Sequence, residues 1–83
     1  MDDQAIMTLV TNALDSVAPG RSEKLHAKGL QLTIRELGID SVATMEMVGA
    51  IEEKIGVTFP DEDLAGLNSM QDLANLIRRA TVA

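Results

Sequence analysis

Apolar and polar residues follow helical spacing near the start of the chain. Across residues 3–17, apolar side chains recur at i, i+3, i+4 and i+7, the pattern of an amphipathic helix. Asp2 and Asp3 lie where the positive end of a helix dipole favours acidic groups, and "APG" at 18–20 interrupts the pattern. We therefore predict a first helix over residues 3–17.

A second helix is predicted over residues 41–55, "SVATMEMVGAIEEKI". At the helical period of about 3.6 residues, four of its apolar positions fall within one sector, which would face the core. Gly56 comes next and can adopt the left-handed conformation that ends many helices. The core-facing residues are Met47, Val48, Ile51 and Ile55.

The last helical pattern covers residues 68–80, "NSMQDLANLIRRA". Asn68 is a favourable N-cap, and Gln71 follows three residues later, as in a capping box. Arg78 and Arg79 suit the negative C-terminal end of the helix dipole. The apolar stripe of this helix consists of Met70, Leu73, Leu76, Ile77 and Ala80.

The connection between the first two helices, residues 19–40, shows no helical pattern. Its segment "QLTIREL" alternates apolar and polar residues, as a strand would, but the chain offers no partner strand. We predict a long extended loop packed on the core, and loops of this length are uncommon and often functional. Five apolar residues are expected to anchor it: Leu30, Leu32, Ile34, Leu37 and Ile39.

Together these elements predict an all-α fold for residues 1–83, as one domain. Pro60 restrains Phe59 to an extended conformation, and residues 61–65 are predicted to form one short helical turn. The architecture is a small helical bundle of three main helices plus this short third turn, with the long loop between the first and second helices.

Composition excludes several kinds of site. Of the 83 residues 46% are apolar, and Phe59 is the only Phe, Tyr or Trp, so the core is aliphatic. Without Cys, disulfides and thiolate metal sites are excluded, and a single His excludes a multi-His metal site. No apolar run reaches the roughly 20 residues of a membrane span, and the acidic N-terminus does not resemble a signal peptide. We expect a cytoplasmic protein without metal or membrane contact.

The net charge of −6 is concentrated in the middle of the chain. Residues 1–35 are neutral, whereas residues 36–63 contain eight acids and one base. Such an acidic field repels nucleic acid and anionic lipid and attracts basic partner surfaces. It also helps to keep a small domain soluble and monomeric, so a docking role and a solubility role both stay open.

Intrinsic catalysis is not expected. A serine nucleophile needs a general base, usually a histidine. The one histidine, His26, lies in the basic segment "RSEKLHAK", where a solvated loop side chain is the commoner interpretation. The chain also lacks the aromatic residues that usually line a substrate pocket.

One acidic segment partly matches the calcium-binding loop of EF-hands. Asp61, Asp63, Gly66 and Asp72 fall at positions 1, 3, 6 and 12 of that template. Position 5 is Ala65, which offers no side-chain oxygen, and Asp at position 12 reaches poorly for bidentate ligation. An EF-hand is not predicted, although loose cation binding by these carboxylates stays open.

Ser41 lies at the predicted start of the second helix, where a serine often caps or simply begins a helix. Asp40 places a carboxylate immediately before it. Val42 and Met45 lie beside the acidic face of the same helix, at the border of its core-facing sector, so the core does not fully cover them. We interpret the Ser41 hydroxyl as an exposed attachment point beside a docking face.

The segment "LGIDSV", followed by "ATMEMVGAIEEKIGVTFPDED" and "NSMQDLANLI", resembles the acyl carrier proteins of fatty-acid and polyketide synthesis over nearly the whole chain. The resemblance implies that Ser41 is the attachment site of 4′-phosphopantetheine, which comes from coenzyme A and is joined by a phosphodiester. Acyl groups would be carried as thioesters on the thiol of this arm, which explains how a chain without Cys could carry them. It further implies that the bundle can hold an acyl chain between its helices.

The resemblance also implies the partners. They are a phosphopantetheinyl transferase, and a ketosynthase, an acyltransferase and other acyl-processing enzymes with basic docking patches. The second helix is the main recognition element of the family, and interface charges chiefly raise the association rate, which suits a shuttle. The partner-binding residues carried over to this chain are Asp40, Val42, Met45, Glu46, Gly49, Glu52 and Glu53.

The sequence departs from the commoner family pattern in three respects. Val42 and Ala43 follow the serine, where a leucine and often an acid are common, and Gly49 occupies a position that is often larger and apolar. The long loop also carries bases, so we favour a carrier for a polyketide or other specialised acyl pathway over a housekeeping fatty-acid role. The bases are Arg21, Lys24 and Lys28.

Two other functions stay open on the sequence. One is a peptidyl or aminoacyl carrier of non-ribosomal synthesis, although those more often show a Gly-Gly-x-Ser motif, and here Ile39 and Asp40 precede Ser41. The other is an unmodified acidic helical adaptor that binds a basic helix or patch.

Overall fold

The protein folds as a small bundle of α-helices, as the sequence predicts. The structure, a computed structural model, describes residues 2–81, and no β-strand forms within that range. The α-helices are α1 (Asp3–Val17), α2 (Ser22–Lys28), α3 (Ile34–Leu37), α4 (Ser41–Ile55), α5 (Asp61–Ala65) and α6 (Met70–Thr81), with a 3-10 helix at Gly29–Gln31.

The first helix, α1, has the predicted bounds. Asp2 is its N-cap, and the Asp2 carboxylate accepts a hydrogen bond from the Ala5 amide at 2.7 Å. An ion pair between Asp3 and Arg78 joins the start of α1 to the last turn of α6. The apolar face of α1 packs mainly against α4.

The prediction of an extended loop over residues 19–40 is wrong in its local structure, because this segment contains α2, the 3-10 helix and α3. These elements have three to seven residues each, too few to show a helical repeat in the sequence. A capping box starts α3, in which the Glu36 amide donates to Thr33 Oγ1 and the Thr33 amide donates to the Glu36 carboxylate.

The predicted anchors of this segment do contact the core. Leu32 and Leu37 are buried, and Leu30, Ile34 and Ile39 are partly buried against the core. The strand-like alternation leaves one trace, a single antiparallel bridge between Thr33 and Ser69. It fastens the connection to the start of α6.

The second predicted helix corresponds to α4, again with the predicted bounds. Three of its four core-facing residues are fully buried, and Ile55 is half-buried. Gly56 ends the helix in the left-handed conformation with φ +71°, as expected for its position. The three buried residues are Met47, Val48 and Ile51.

The predicted cap of the last helix is wrong by one residue. Ser69, and not Asn68, caps α6, because Ser69 Oγ accepts from the Asp72 amide at 3.1 Å. The Asp72 carboxylate accepts in return from the Ser69 and Asn68 amides, both at 3.0 Å. Gln71 instead donates to the Asn75 side chain.

The helices share one aliphatic core that also contains the ring of Phe59. The short turn predicted at residues 61–65 is present as α5. No helix in residues 2–81 combines the length and the apolar character needed to cross a bilayer. The largest fully buried side chains are Ile6, Val10, Leu14, Leu25, Leu32, Leu37, Met47, Val48, Ile51, Met70, Leu73 and Ile77.

Candidate functional site

The start of α4 is capped by Asp40. This residue has extended backbone angles, and its carboxylate accepts a hydrogen bond from the Ala43 amide at 2.7 Å. The Asp40 carbonyl accepts from the Thr44 amide at 2.9 Å and from the Thr44 hydroxyl at 2.8 Å. Asp40 therefore accepts hydrogen bonds from two backbone amides of the first turn.

Ser41 begins the helix without capping it. Its side chain is exposed, and the hydroxyl makes no hydrogen bond to any other group in residues 2–81. The hydroxyl of Ser69, at the start of α6, is by contrast used in its own cap. Of these two serines at helix starts, only Ser41 presents an uncommitted hydroxyl.

The backbone just before Ser41 is anchored to the core by the residues on either side of Gly38. Leu37 is fully buried, and Ile39 is partly buried against the core. Between them, Gly38 ends α3 in the left-handed conformation with φ +73°, which favours glycine. Ser41 is therefore exposed on a backbone that is fixed a few residues upstream.

The predicted docking face of α4 presents apolar side chains to solvent. Val42 is 67% exposed and Met45 is 50% exposed, and they are the large apolar residues that the described structure leaves most open. Glu46 and Glu53 are exposed on the same helix. The helix thus combines uncovered apolar groups with acids, as the sequence indicates.

Two other predicted docking residues, Glu52 and Gly49, are half-buried and not exposed. Glu52 is half-buried, and its carboxylate accepts a hydrogen bond from the Phe59 amide at 2.7 Å, so it fixes the connection between α4 and α5. Gly49 is half-buried within the helix, and an added Cβ would contact nothing within 4 Å. The packing therefore does not require a glycine at this position.

The acidic surface continues beyond the predicted docking residues. Asp61, Glu62 and Asp63 form the exposed first turn of α5. They were not among the predicted docking residues, although three consecutive acids after Pro60 are a visible signal. Such a run also favours the start of a helix, where the positive end of the dipole attracts acids.

Two carboxylates have perturbed pKa values, and both stabilise helix starts. The Lys28 amine and the Thr33 amide and hydroxyl lower the pKa of Glu36 from 4.5 to about 2. Hydrogen bonds from the Ser69 and Asn68 amides lower the pKa of Asp72. Neither group contacts the Ser41 hydroxyl.

The partial calcium-loop pattern is not realised as a loop. Asp61 and Asp63 lie within α5, and Asp72 is used in the cap of α6. Within residues 2–81, no three side chains of the His, Cys, Asp or Glu types cluster as metal ligands would. The one histidine, His26, lies exposed on α2.

A shallow, mostly apolar groove of about 620 Å³ runs between α1 and α4. Lys54 lies among its lining residues and is the one base of residues 36–63. The other lining residues are Ala5, Thr8, Leu9, Asn12, Ala13, Ser16, Ala50 and Ile55.

Comparisons with known proteins agree on one family. The family model described as "Phosphopantetheine attachment site" matches residues 23–77. An acyl carrier protein homolog of Ureaplasma parvum is 32% identical over 66 residues, which is 80% of this chain and 86% of that protein. The acyl carrier protein of Campylobacter concisus is 44% identical over 64 residues, 77% of each chain.

A third relative has a more specific name. The meromycolate extension acyl carrier protein of Mycobacterium leprae is 41% identical over 46 residues, which is 55% of this chain and 40% of that protein. No solved structure gives a significant match to this chain.

Proposed function

Because the chain belongs to the acyl carrier protein family, whose cofactor is 4′-phosphopantetheine, we propose that the Ser41 hydroxyl is the point where this cofactor is attached. Acyl carrier proteins are carriers and not enzymes. The single observation that carries the proposal is the Ser41 hydroxyl itself, which is exposed and has no hydrogen-bond partner in residues 2–81.

The surroundings of Ser41 fit a covalently attached phosphate. Ser41 is the first residue of a 15-residue helix, and the N-terminus of a long helix favours an anion. Because Asp40 already caps α4, attachment of a phosphate to the Ser41 hydroxyl removes no hydrogen bond from the helix. The cofactor, once attached, supplies a thiol on a flexible arm that holds acyl groups as thioesters.

In the attachment reaction this chain supplies only the hydroxyl of Ser41. The Ser41 oxygen bonds to the phosphorus of coenzyme A nearest the pantetheine, the hydroxyl loses its proton, and adenosine 3′,5′-bisphosphate leaves. The Ser41 hydroxyl has no hydrogen-bond partner in residues 2–81 that could act as a base, so we expect the partner transferase to supply it. The contribution of this chain is to present the hydroxyl on a fixed backbone.

The exposed face of α4 is proposed as the surface that partner enzymes recognise. Val42 and Met45 would fill an apolar site on the partner, and Glu46 and Glu53 would face its basic residues. The half-buried Glu52 would act mainly by holding the Phe59 amide. Asp40 and Gly49 complete the proposed surface. The proposed partners are a phosphopantetheinyl transferase, a ketosynthase, an acyltransferase and similar acyl-processing enzymes.

For the pathway, we propose polyketide or another specialised acyl synthesis. The support is sequence-based: Val42 and Ala43 after the serine, Gly49 on α4, and the bases Arg21, Lys24 and Lys28. The name of the Mycobacterium leprae relative refers to meromycolate extension in that organism. We also propose that residues 1–83 act as one monomeric carrier domain, and the expected cytoplasmic location stays a prediction.

The test is the intact mass of the protein after incubation with coenzyme A and a broad-specificity phosphopantetheinyl transferase. Wild type is expected to gain the mass of one phosphopantetheine group, and Ser41→Ala is expected to gain nothing. Ser69→Ala, at the serine that caps α6, is the matched control and should be modified like wild type. No gain in wild type, or a gain that persists in Ser41→Ala, would refute the proposal and favour an unmodified adaptor.

A further inference from the structure

Arg21 lies beside the loop that leads to Ser41. It immediately precedes α2, and its guanidinium packs against Gly38 at the end of α3. A Cβ placed on Gly38 would lie 3.1 Å from Arg21 Nη1 and 3.7 Å from Arg21 Cζ. The guanidinium therefore lies close to Gly38, three residues before Ser41.

The neighbouring cations of α2 are already engaged. Arg21, immediately before α2, and Lys24 and Lys28 within it are spaced i, i+3 and i+7 and so share one side. Lys28 Nζ pairs with the Glu36 carboxylate at 2.8 Å, and Lys24 Nζ donates to the Glu36 carbonyl at 3.3 Å. Arg21 forms no ion pair and no side-chain hydrogen bond within residues 2–81. Of the three, it is the cation still available to an acceptor.

The site of the proposed attachment lacks a counter-charge on its own helix. Asp40 precedes Ser41, and the one base of α4, Lys54, lies in its last turn, about 20 Å away along the axis. A phosphodiester at Ser41 would add a further negative charge to this acidic end. The Cα atoms of Gly38 and Ser41 are at most about 11 Å apart, a distance that the long side chain of Arg21, which lies beside Gly38, can shorten.

We propose that Arg21 binds the phosphodiester of the arm carried by Ser41. Arg21 and the first turn of α4 together then form a subsite for the cofactor phosphate, with the guanidinium as its cationic part. This inference rests on the proposed attachment at Ser41. Arg35 is the natural comparison, because it is exposed on α3 and has no ion pair in residues 2–81, yet none of its atoms comes within 4 Å of the Cβ position on Gly38.

The experiment compares the apo and holo forms of wild type, Arg21→Ala and Arg35→Ala, with the modification of each confirmed by intact mass. The first measurement is the phosphorus-31 NMR resonance of the holo phosphodiester. The second is the shift of the Arg21 Nε–Hε resonance of wild type between apo and holo forms. The third is the melting temperature of each holo form minus that of its apo form.

We expect the phosphorus resonance to move in Arg21→Ala and to stay near the wild-type position in Arg35→Ala. The Arg21 Nε–Hε resonance should shift on attachment in wild type. The holo-minus-apo melting temperature should fall by roughly 2–5 °C in Arg21→Ala at low salt, and the difference should shrink in about 1 M salt.

Unchanged phosphorus and Nε–Hε resonances would overturn the inference, and so would equal effects of Arg21→Ala and Arg35→Ala, which would indicate general charge alone. These outcomes require modified protein. They are therefore distinct from failure of the proposed function, in which wild type gains no phosphopantetheine at all.

Discussion

The Asp40 carboxylate accepts a hydrogen bond from the Ala43 amide at 2.7 Å. A serine at a helix start can either cap the helix or offer its hydroxyl for modification, and here Asp40 does the capping. Because the aspartate performs the capping, the adjacent Ser41 hydroxyl is not needed to stabilise the helix. A residue can then be modified at the start of α4 without loss of its cap.

Removal of this cap should destabilise the domain. Asp40→Ala is expected to lower the free energy of unfolding by about 0.5–2 kcal/mol, because the Ala43 amide loses its acceptor. Asp40→Asn is the control and should retain most of the stability, since asparagine caps helices as well as aspartate does. Urea unfolding followed by circular dichroism measures both. Equal losses in the two variants would mean that the carboxylate charge, and not the cap, matters.

Two methionines of α4 should separate folding from docking. Met47 is fully buried, so Met47→Ala should cost about 2–5 kcal/mol of unfolding free energy. Met45 is 50% exposed, so Met45→Ala should change stability little while it weakens partner turnover. Thermal unfolding and the steady-state rate of a partner enzyme are the measurements. If the Met45→Ala variant has a wild-type KM, Met45 does not belong to the docking surface.

Charge reversal on α4 should slow association with a basic partner. Glu46→Lys and Glu53→Lys are each expected to reduce kcat/KM several-fold at low salt, with a smaller effect at high salt, because exposed interface charges act mainly on the association rate. Glu23→Lys, an equal charge change on α2, is the control. If all three variants behave alike, net charge rather than a local surface controls recognition.

Acid should weaken the link between α2 and α3. The folded-state pKa of Glu36 is about 2, below its usual value of 4.5, so its stabilising effect is present above about pH 4.5 and is lost as the pH falls towards 2. Wild type should therefore lose more stability than Glu36→Gln across this range. The effect should be small and salt-sensitive because the pair is exposed. Parallel pH profiles of the urea midpoints would contradict the prediction.

The glycine within α4 and the glycine that ends it should respond oppositely to alanine. Gly49 has helical geometry and open space at its Cβ position, so Gly49→Ala should stabilise by about 0.5–1 kcal/mol. Gly56 has φ +71°, so Gly56→Ala should destabilise by about 1–2 kcal/mol. Thermal unfolding measures both, and a destabilised Gly49→Ala would show that the space beside Gly49 is not open.

The sequence predicted the long amphipathic helices well and the short ones poorly. The bounds of α1 and α4 are correct because each is long enough for several apolar repeats on one face. The seven residues of α2 and the four of α3 complete two turns or fewer, so no repeat could reveal them. The cap of α6 was misplaced because Asn68 with Gln71 and Ser69 with Asp72 satisfy the same pattern one residue apart, and only the hydrogen bonds distinguish them.

For the candidate site, the sequence predicted the exposed Val42 and Met45, and the family resemblance pointed to Ser41. The sequence could not indicate that the Glu52 carboxylate accepts a hydrogen bond from the Phe59 amide, because that contact depends on how the chain bends after Gly56. Nor could it place Arg21 against Gly38, since the two residues are 17 positions apart and meet only through the packing of α2 on the core.

The buried ring of Phe59 has a practical consequence for these measurements. With no Trp and no Tyr, the chain has almost no absorbance near 280 nm and no useful intrinsic fluorescence. Phe59 is 4% exposed and belongs to the aliphatic core, so its ring current would spread the methyl resonances of nearby leucines, isoleucines and valines in that core. Proton NMR of those methyl groups therefore offers a label-free signal for the folded state.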